Sequence, residues 1–100
     1  MLACLVLPSL LLAQQVPDTV FKAPIAKPMY PMGQGPVVLL DEAHYNFHTL
    51  AGRYRAFGNA LRDDGYVVRA NTEQFTEKAL AQARALVIAN ALSERNAQTW

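Results

Sequence analysis

Apolar residues fall into three short blocks separated by stretches of a different rhythm. Val37-Val38-Leu39-Leu40 is an unbroken run, Tyr66-Val67-Val68-Arg69 is short and β-branched, and Ala85-Leu86-Val87-Ile88-Ala89 is a third run. Each has the length of a buried strand. Between the first two, Leu50, Tyr54, Phe57 and Leu61 recur at the spacing of one helical face, with Arg53, Arg55, Arg62 and Asp63 on the wetter side. A helix is therefore expected near 50–64, with Thr49 as its N-cap and Gly65 just past its end. Gly52 and Gly58 each weaken it by up to about 1 kcal/mol relative to alanine, and a close helix–sheet approach would account for Gly58. Thr76 is placed to cap a second helix near 77–84, with its alanines and Leu80 facing inward. The strands are expected near 37–41, 66–70 and 85–89.

Strand, helix, strand, helix, strand is the order of an α/β fold with parallel pairing and right-handed crossovers. The expected architecture is a partial doubly wound parallel sheet, β-α-β-α-β, in the order 2-1-3, with the 37–41 strand at its centre. Parallel sheets need both faces covered, and two helices cannot wrap three buried strands. Val37 to Trp100 is also near the lower size limit for independent stability. These residues therefore read as an incomplete domain: a truncated product, a fragment, or a chain that borrows a partner. An uncovered edge at the third strand predicts self-association or pairing with a missing C-terminal half.

Ahead of the first strand the pattern changes twice. Met1 to Ala13 is uncharged and almost wholly apolar. It is too short to cross a bilayer, which takes roughly 20 residues. It matches the apolar region of a secretory signal, with Ala13 as a cleavage residue before Gln14, although no Lys or Arg precedes the run. Export to the periplasm or the extracellular space is the expectation. Residues 14–36 form a Pro-rich arm, in which Pro17, Pro24, Pro28 and Pro31 prevent a regular helix and Pro36 closes the segment. Val20, Phe21, Ile25, Met29 and Tyr30 are available to anchor it. Gly33-Gln34-Gly35 precedes a strand, lacks a following Lys-Ser/Thr, and reads as a turn.

Charge narrows the partners. Nine basic and eight acidic side chains give a net charge of +1 with no basic run. That offers no footprint for nucleic acid and no polybasic patch for an anionic membrane. The single cysteine, Cys4, lies in the leader, so a mature chain would have no disulfide and no thiolate ligand or nucleophile.

Chemistry concentrates after the first strand, where Asp41, Glu42, His44, Asn46 and His48 follow one another. In open α/β sheets ligands sit outside the carboxyl ends of the strands. Asn90 ends the third strand, next to the first in the expected order, and is a candidate for the same crevice as His44. Its bland alternative is to cap the loop 91–94. Phe47 is expected to turn away and pack under the helix. Asp41-Glu42-Ala43-His44 also spells the acidic box of RNA helicases, but no phosphate-binding Gly-Lys-Ser/Thr segment or basic channel accompanies it. His44 and His48, with Asp41 and Glu42 nearby, are weak candidates for a metal; no third ligand has a fixed spacing, and the alternative is capping of the loop backbone. After the leader the only serine is Ser93, outside any nucleophile-elbow pattern. No catalytic residue and no cofactor is specified.

Taken together, Val38-Leu39-Leu40-Asp41-Glu42-Ala43-His44-Tyr45-Asn46-Phe47-His48-Thr49, Gly52-Arg53-Tyr54, Asp64-Gly65-Tyr66 and Val87-Ile88-Ala89-Asn90-Ala91-Leu92 resemble a family of exported or membrane-associated bacterial proteins of unassigned biochemistry. Their domain is similar to class I glutamine amidotransferases, with a flavodoxin-like sheet. The resemblance spans Val37 to Trp100 and matches the N-terminal half of that domain. Members carry an Asp-Glu-Gly/Ala-His-x-Asn-x-His-like stretch, met here by Asp41, Glu42, His44, Asn46 and His48. Glutamine amidotransferases use a cysteine on a later nucleophile elbow with downstream His and Glu, none of which is present, so their activity is not implied. Three functions remain open: a noncatalytic envelope module binding a small molecule, carbohydrate or peptide; an N-terminal piece of a metal-assisted hydrolase; and a nonfunctional truncated product.

Overall fold

The computed structural model describes residues 16–98; the leader expected at Met1–Ala13 lies outside them. Strand β1 (Val37–Asp41) is followed by helix α1 (Arg55–Asp63), strand β2 (Val67–Asn71), helix α2 (Glu77–Ala81), strand β3 (Ala85–Val87) and a short helix α3 (Glu94–Ala97). The strands form one sheet in the order β2-β1-β3. Both pairings are parallel, with Asp41 opposite Asn71, and Leu40 opposite Ala70 on one side and Val87 on the other. This is the α/β architecture and strand order expected from the hydrophobic pattern, and the sheet is open.

Burial follows from that order. Flanked on both sides, β1 contributes Val38, Leu39 and Leu40 to the core, each at most 6 % exposed. The outer strands contribute much less: Val68 from β2 is buried, whereas Arg69 and Ala70 are exposed and β3 is only half-covered. A run of apolar residues thus marks a strand but not how deeply it is buried. The third strand also ends two residues early, at Val87, and Ile88 is 53 % exposed beyond it.

Helix α1 departs most from expectation. It begins at Arg55, not near residue 50, and its N-cap is Tyr54, which supplies no side-chain cap. Thr49 instead closes a turn: its carbonyl accepts from the Gly52 and Tyr54 N–H groups, and its Oγ1 accepts from Gly52 N–H. Leu50 therefore joins the hydrophobic set from outside the helix. It packs on the helix at Gly58, where an added Cβ would lie 2.7 Å from Leu50 Cδ2. The close neighbour at Gly58 is thus the Leu50 side chain and not the sheet. Phe57, expected on the inner face, is 40 % exposed.

The far end of α1 behaves as the sequence suggests. Tyr66 N–H donates to Leu61 C=O and Gly65 N–H to Arg62 C=O, the paired bonds of a Schellman ending, with Gly65 at φ +95°. The Pro-rich arm docks here. Tyr30 N–H donates to Asp64 C=O, Met29 N–H to Asp64 Oδ1, and Gly35 N–H to Gly65 C=O; the Tyr30 and Tyr66 rings meet edge to face at 5.3 Å. Of the expected anchors, Tyr30 performs the task, while Val20, Phe21 and Met29 are exposed. Gly33-Gln34-Gly35 lies at a turn closed by Gln34 N–H on Pro31 C=O, with Gly33 at φ +70°.

Helix α2 is five residues long rather than eight. Thr76 caps it, with Oγ1 accepting from Ala79 N–H at 3.0 Å, and Ala79 is buried. A helix of this length gains little from its own backbone ladder. Thr76→Ala is therefore expected to lower stability by about 1 kcal/mol, read as a lower urea midpoint, with Thr76→Ser close to wild type.

Candidate functional site

β1 ends on Asp41, which is fully buried although it carries a carboxylate. Four donors surround it. Oδ2 accepts from His44 Nδ1 at 2.8 Å and from Asn46 Nδ2 at 3.1 Å; Oδ1 accepts from Ala43 N–H at 3.2 Å and from Asn71 Nδ2 at 3.4 Å. Burial pushes the Asp41 carboxyl up, but the hydrogen bonds from His44, Ala43 N–H, Asn46 and Asn71 together outweigh it and hold the carboxyl below its ordinary value. The ionised form is the one that can accept all four.

The loop after β1 is shaped by that carboxylate. Asn46 bridges three points: its Nδ2 reaches Asp41 and the Ala89 carbonyl, and its Oδ1 accepts from His44 N–H at 2.9 Å. Glu42 turns the other way, accepting from Leu50 N–H at 3.0 Å through Oε2, while its own N–H donates to Asn71 C=O. Three of the expected site residues, Asp41, Glu42 and Asn46, thus spend polar atoms on the loop itself. His44 is different. Its Nδ1 is bound to Asp41, its side chain is 37 % exposed, and its Nε2 forms no hydrogen bond among the described residues. The Phe75 ring lies against it at 4.6 Å.

His48 is held elsewhere. Its ring stacks on Tyr54 at 5.0 Å with an interplanar angle of 7°, and its buried Nδ1 has no hydrogen-bond partner among the described residues. Among the described residues no three His, Cys, Asp or Glu side chains converge into a group able to hold a metal ion. Phe47, expected to pack under the helix, carries the Arg53 guanidinium over its ring at 4.0 Å.

Asn90 comes to the same edge through its backbone. Phe47 N–H donates to Asn90 C=O and Leu92 N–H to His44 C=O, so the loops after β1 and β3 are laced together. Ser93, not Asn90, caps the helix that follows, accepting from Asn96 N–H. Tyr45 and Asn90 have φ of +51° and +50°, the two non-glycine residues in the left-handed region among those described, and both are in this pair of loops. Such backbone conformations persist where surrounding structure enforces them. Clefts open elsewhere, as between Met32, Arg62, Tyr66 and Val68 (about 240 Å³), beside none of these polar groups.

Two participants were missed in the sequence. Asn71, one residue past the expected end of the second strand, ends β2 in register with Asp41, and its Nδ2 bonds both Asp41 and the Glu73 carbonyl. Phe75, between β2 and α2, had no signal in the pattern. No family model, curated protein or solved structure matches the chain.

Proposed function

We propose that this chain is a noncatalytic ligand-binding α/β module of the cell envelope, taking a small molecule or carbohydrate at the carboxyl edge of its sheet. The observation that carries the reading is the Asp41–His44 pair: a buried carboxylate orients an imidazole whose other nitrogen has no hydrogen-bond partner among the described residues. A loop built only to cap β1 has no need to hold a half-exposed ring in one orientation. The two left-handed residues in the flanking loops support the same edge. Envelope placement rests on the apolar leader, and the resemblance to exported proteins with an amidotransferase-like domain supports both parts.

The test is a titration of the ¹⁵N-labelled full chain with a panel of small saccharides and short peptides, followed by amide shifts. Saturable shifts are expected at residues 42–48 and 89–92 and should be lost in His44→Ala. Shifts confined to the cleft at Met32, Arg62 and Tyr66, or retained without His44, would overturn the reading. One observation favours a second reading, metal-assisted hydrolysis: a histidine held by a carboxylate through one nitrogen is the usual posture of a metal ligand. Stoichiometric Zn²⁺ or Mn²⁺ binding by calorimetry, lost in the His44→Ala/His48→Ala chain, would favour it.

A further inference from the structure

We infer that the ligand presents a hydrogen-bond donor to His44 Nε2 and is neutral: a hydroxyl-rich molecule of the sugar class, not a carboxylate or phosphate. This rests on the site proposed above and adds the polarity of its occupant. The chain of reasoning begins at Asp41. All four of its neighbours donate to it, through His44 Nδ1, Asn46 Nδ2, Ala43 N–H and Asn71 Nδ2. It therefore acts only as an acceptor, and the proton of the 2.8 Å contact belongs to His44 Nδ1. A neutral imidazole carries one N–H, so fixing it at Nδ1 leaves Nε2 as a lone-pair acceptor. Of the two neutral tautomers, the carboxylate thereby selects the one that accepts at Nε2.

Two further features narrow the class. The carboxylate of Asp41 lies one imidazole away from the ligand position, so a second anion is repelled. The nearby aromatic residues supply apolar faces: Phe75 rests against His44 at 4.6 Å and is 36 % exposed, and Tyr45, adjacent in the chain, is 51 % exposed. An acceptor beside exposed aromatic surface suits a molecule with hydroxyl donors on its rim and C–H groups on its face. A pyranose has both.

Two measurements on the full chain decide this. Long-range ¹H–¹⁵N correlation of the histidine rings at neutral pH should show His44 protonated at Nδ1 and bare at Nε2; the opposite tautomer would overturn the inference with no ligand needed. Titration with methyl β-glucoside and, separately, with glucuronate should then shift the amides of His44, Tyr45 and Phe75 with the neutral sugar, and the acid should bind more weakly by about tenfold or more. His44→Gln, which can still offer an acceptor oxygen, should retain part of the glucoside response, whereas His44→Phe should lose it. Equal or tighter glucuronate binding at this edge would refute the polarity while leaving the site standing. Glucoside shifts elsewhere, or none, would refute the sugar class. Loss in both variants would show that shape at His44, not its lone pair, is what counts.

Discussion

Asp41→Ala is expected to destabilise the chain by about 3 kcal/mol. The cost does not come from the lost carboxylate contacts as such but from the donors left behind. Ala43 N–H, His44 Nδ1, Asn46 Nδ2 and Asn71 Nδ2 all point at one fully buried side chain. Each donor stranded away from water costs about 1–3 kcal/mol. Asn46 and Asn71 retain second partners in the Ala89 and Glu73 carbonyls, and His44 is half-exposed, which keeps the sum below four full penalties. A small domain whose outer strands are half-covered has little reserve against such a loss. Asp41→Asn should fall between, because one amide oxygen still accepts while its NH₂ opposes the remaining donors. Urea midpoints of the three chains give the order directly, and an Asp41→Ala chain as stable as wild type would show that the network is slack.

The same side chain fixes the response to acid. Its folded carboxyl is held below the ordinary value, with burial opposing and hydrogen bonds from His44, Ala43, Asn46 and Asn71 prevailing. A group whose folded value is depressed contributes its full share above the unfolded value and loses it as pH falls through the folded one. Wild type should therefore weaken relative to Asp41→Asn through and below the ordinary aspartate range, with the gap between them constant above it. A gap that stays constant into strong acid would mean that Asp41 does not titrate with unfolding.

Gly65→Ala is expected to cost about 3 kcal/mol and to release the Pro-rich arm. Two penalties coincide there. The backbone sits at φ +95°, which L side chains rarely adopt, and an added Cβ would collide with Tyr30 C=O. That carbonyl belongs to the docked arm, so relief requires moving it and with it the contacts from Met29 and Tyr30 to Asp64 and from Gly35 to Gly65. Amide hydrogen exchange at Met29, Tyr30 and Gly35 should then be faster, because their N–H groups hold the arm to Asp64 and Gly65. Gly33→Ala is the control: φ is +70° but nothing lies within 4 Å of the new Cβ, so the backbone penalty alone, about 1 kcal/mol, is expected. Equal losses at the two glycines would show that the Tyr30 approach contributes nothing.

These expectations separate what the chain's order encodes from what its packing encodes. Strand identity, parallel pairing and the order 2-1-3 were legible because they depend on local runs, Val37 to Leu40 above all, and on connection rules that hold for any such alternation. Gly65 and Thr76 were legible for the same reason: a helix end and a cap are decided within a few residues. The start of α1 was not. Leu50, Tyr54, Phe57 and Leu61 keep helical spacing, yet Glu42 takes Leu50 N–H and Thr49 C=O takes the N–H groups of Gly52 and Tyr54, so the first turn is spent on side-chain and loop bonds. Periodicity records which residues want burial, not which element delivers them.

The site divides along the same line. That the polar residues Asp41 to His48 follow the central strand, and Asn90 the neighbouring one, is a property of sequence and topology. Which of them is consumed and which is presented depends on contacts between residues far apart in the chain. Asn71 and Ala89 come from the two flanking strands or their ends, and they hold Asp41 and Asn46 in the geometry that turns His44 Nδ1 onto the carboxylate. His44 and His48, equivalent candidates by spacing, part because one ring meets the buried carboxylate and the other stacks on Tyr54. Sequence determined where the polar groups would gather; only the three-dimensional meeting of separate loops, each with a limited number of donors and acceptors, decided which one would face outward.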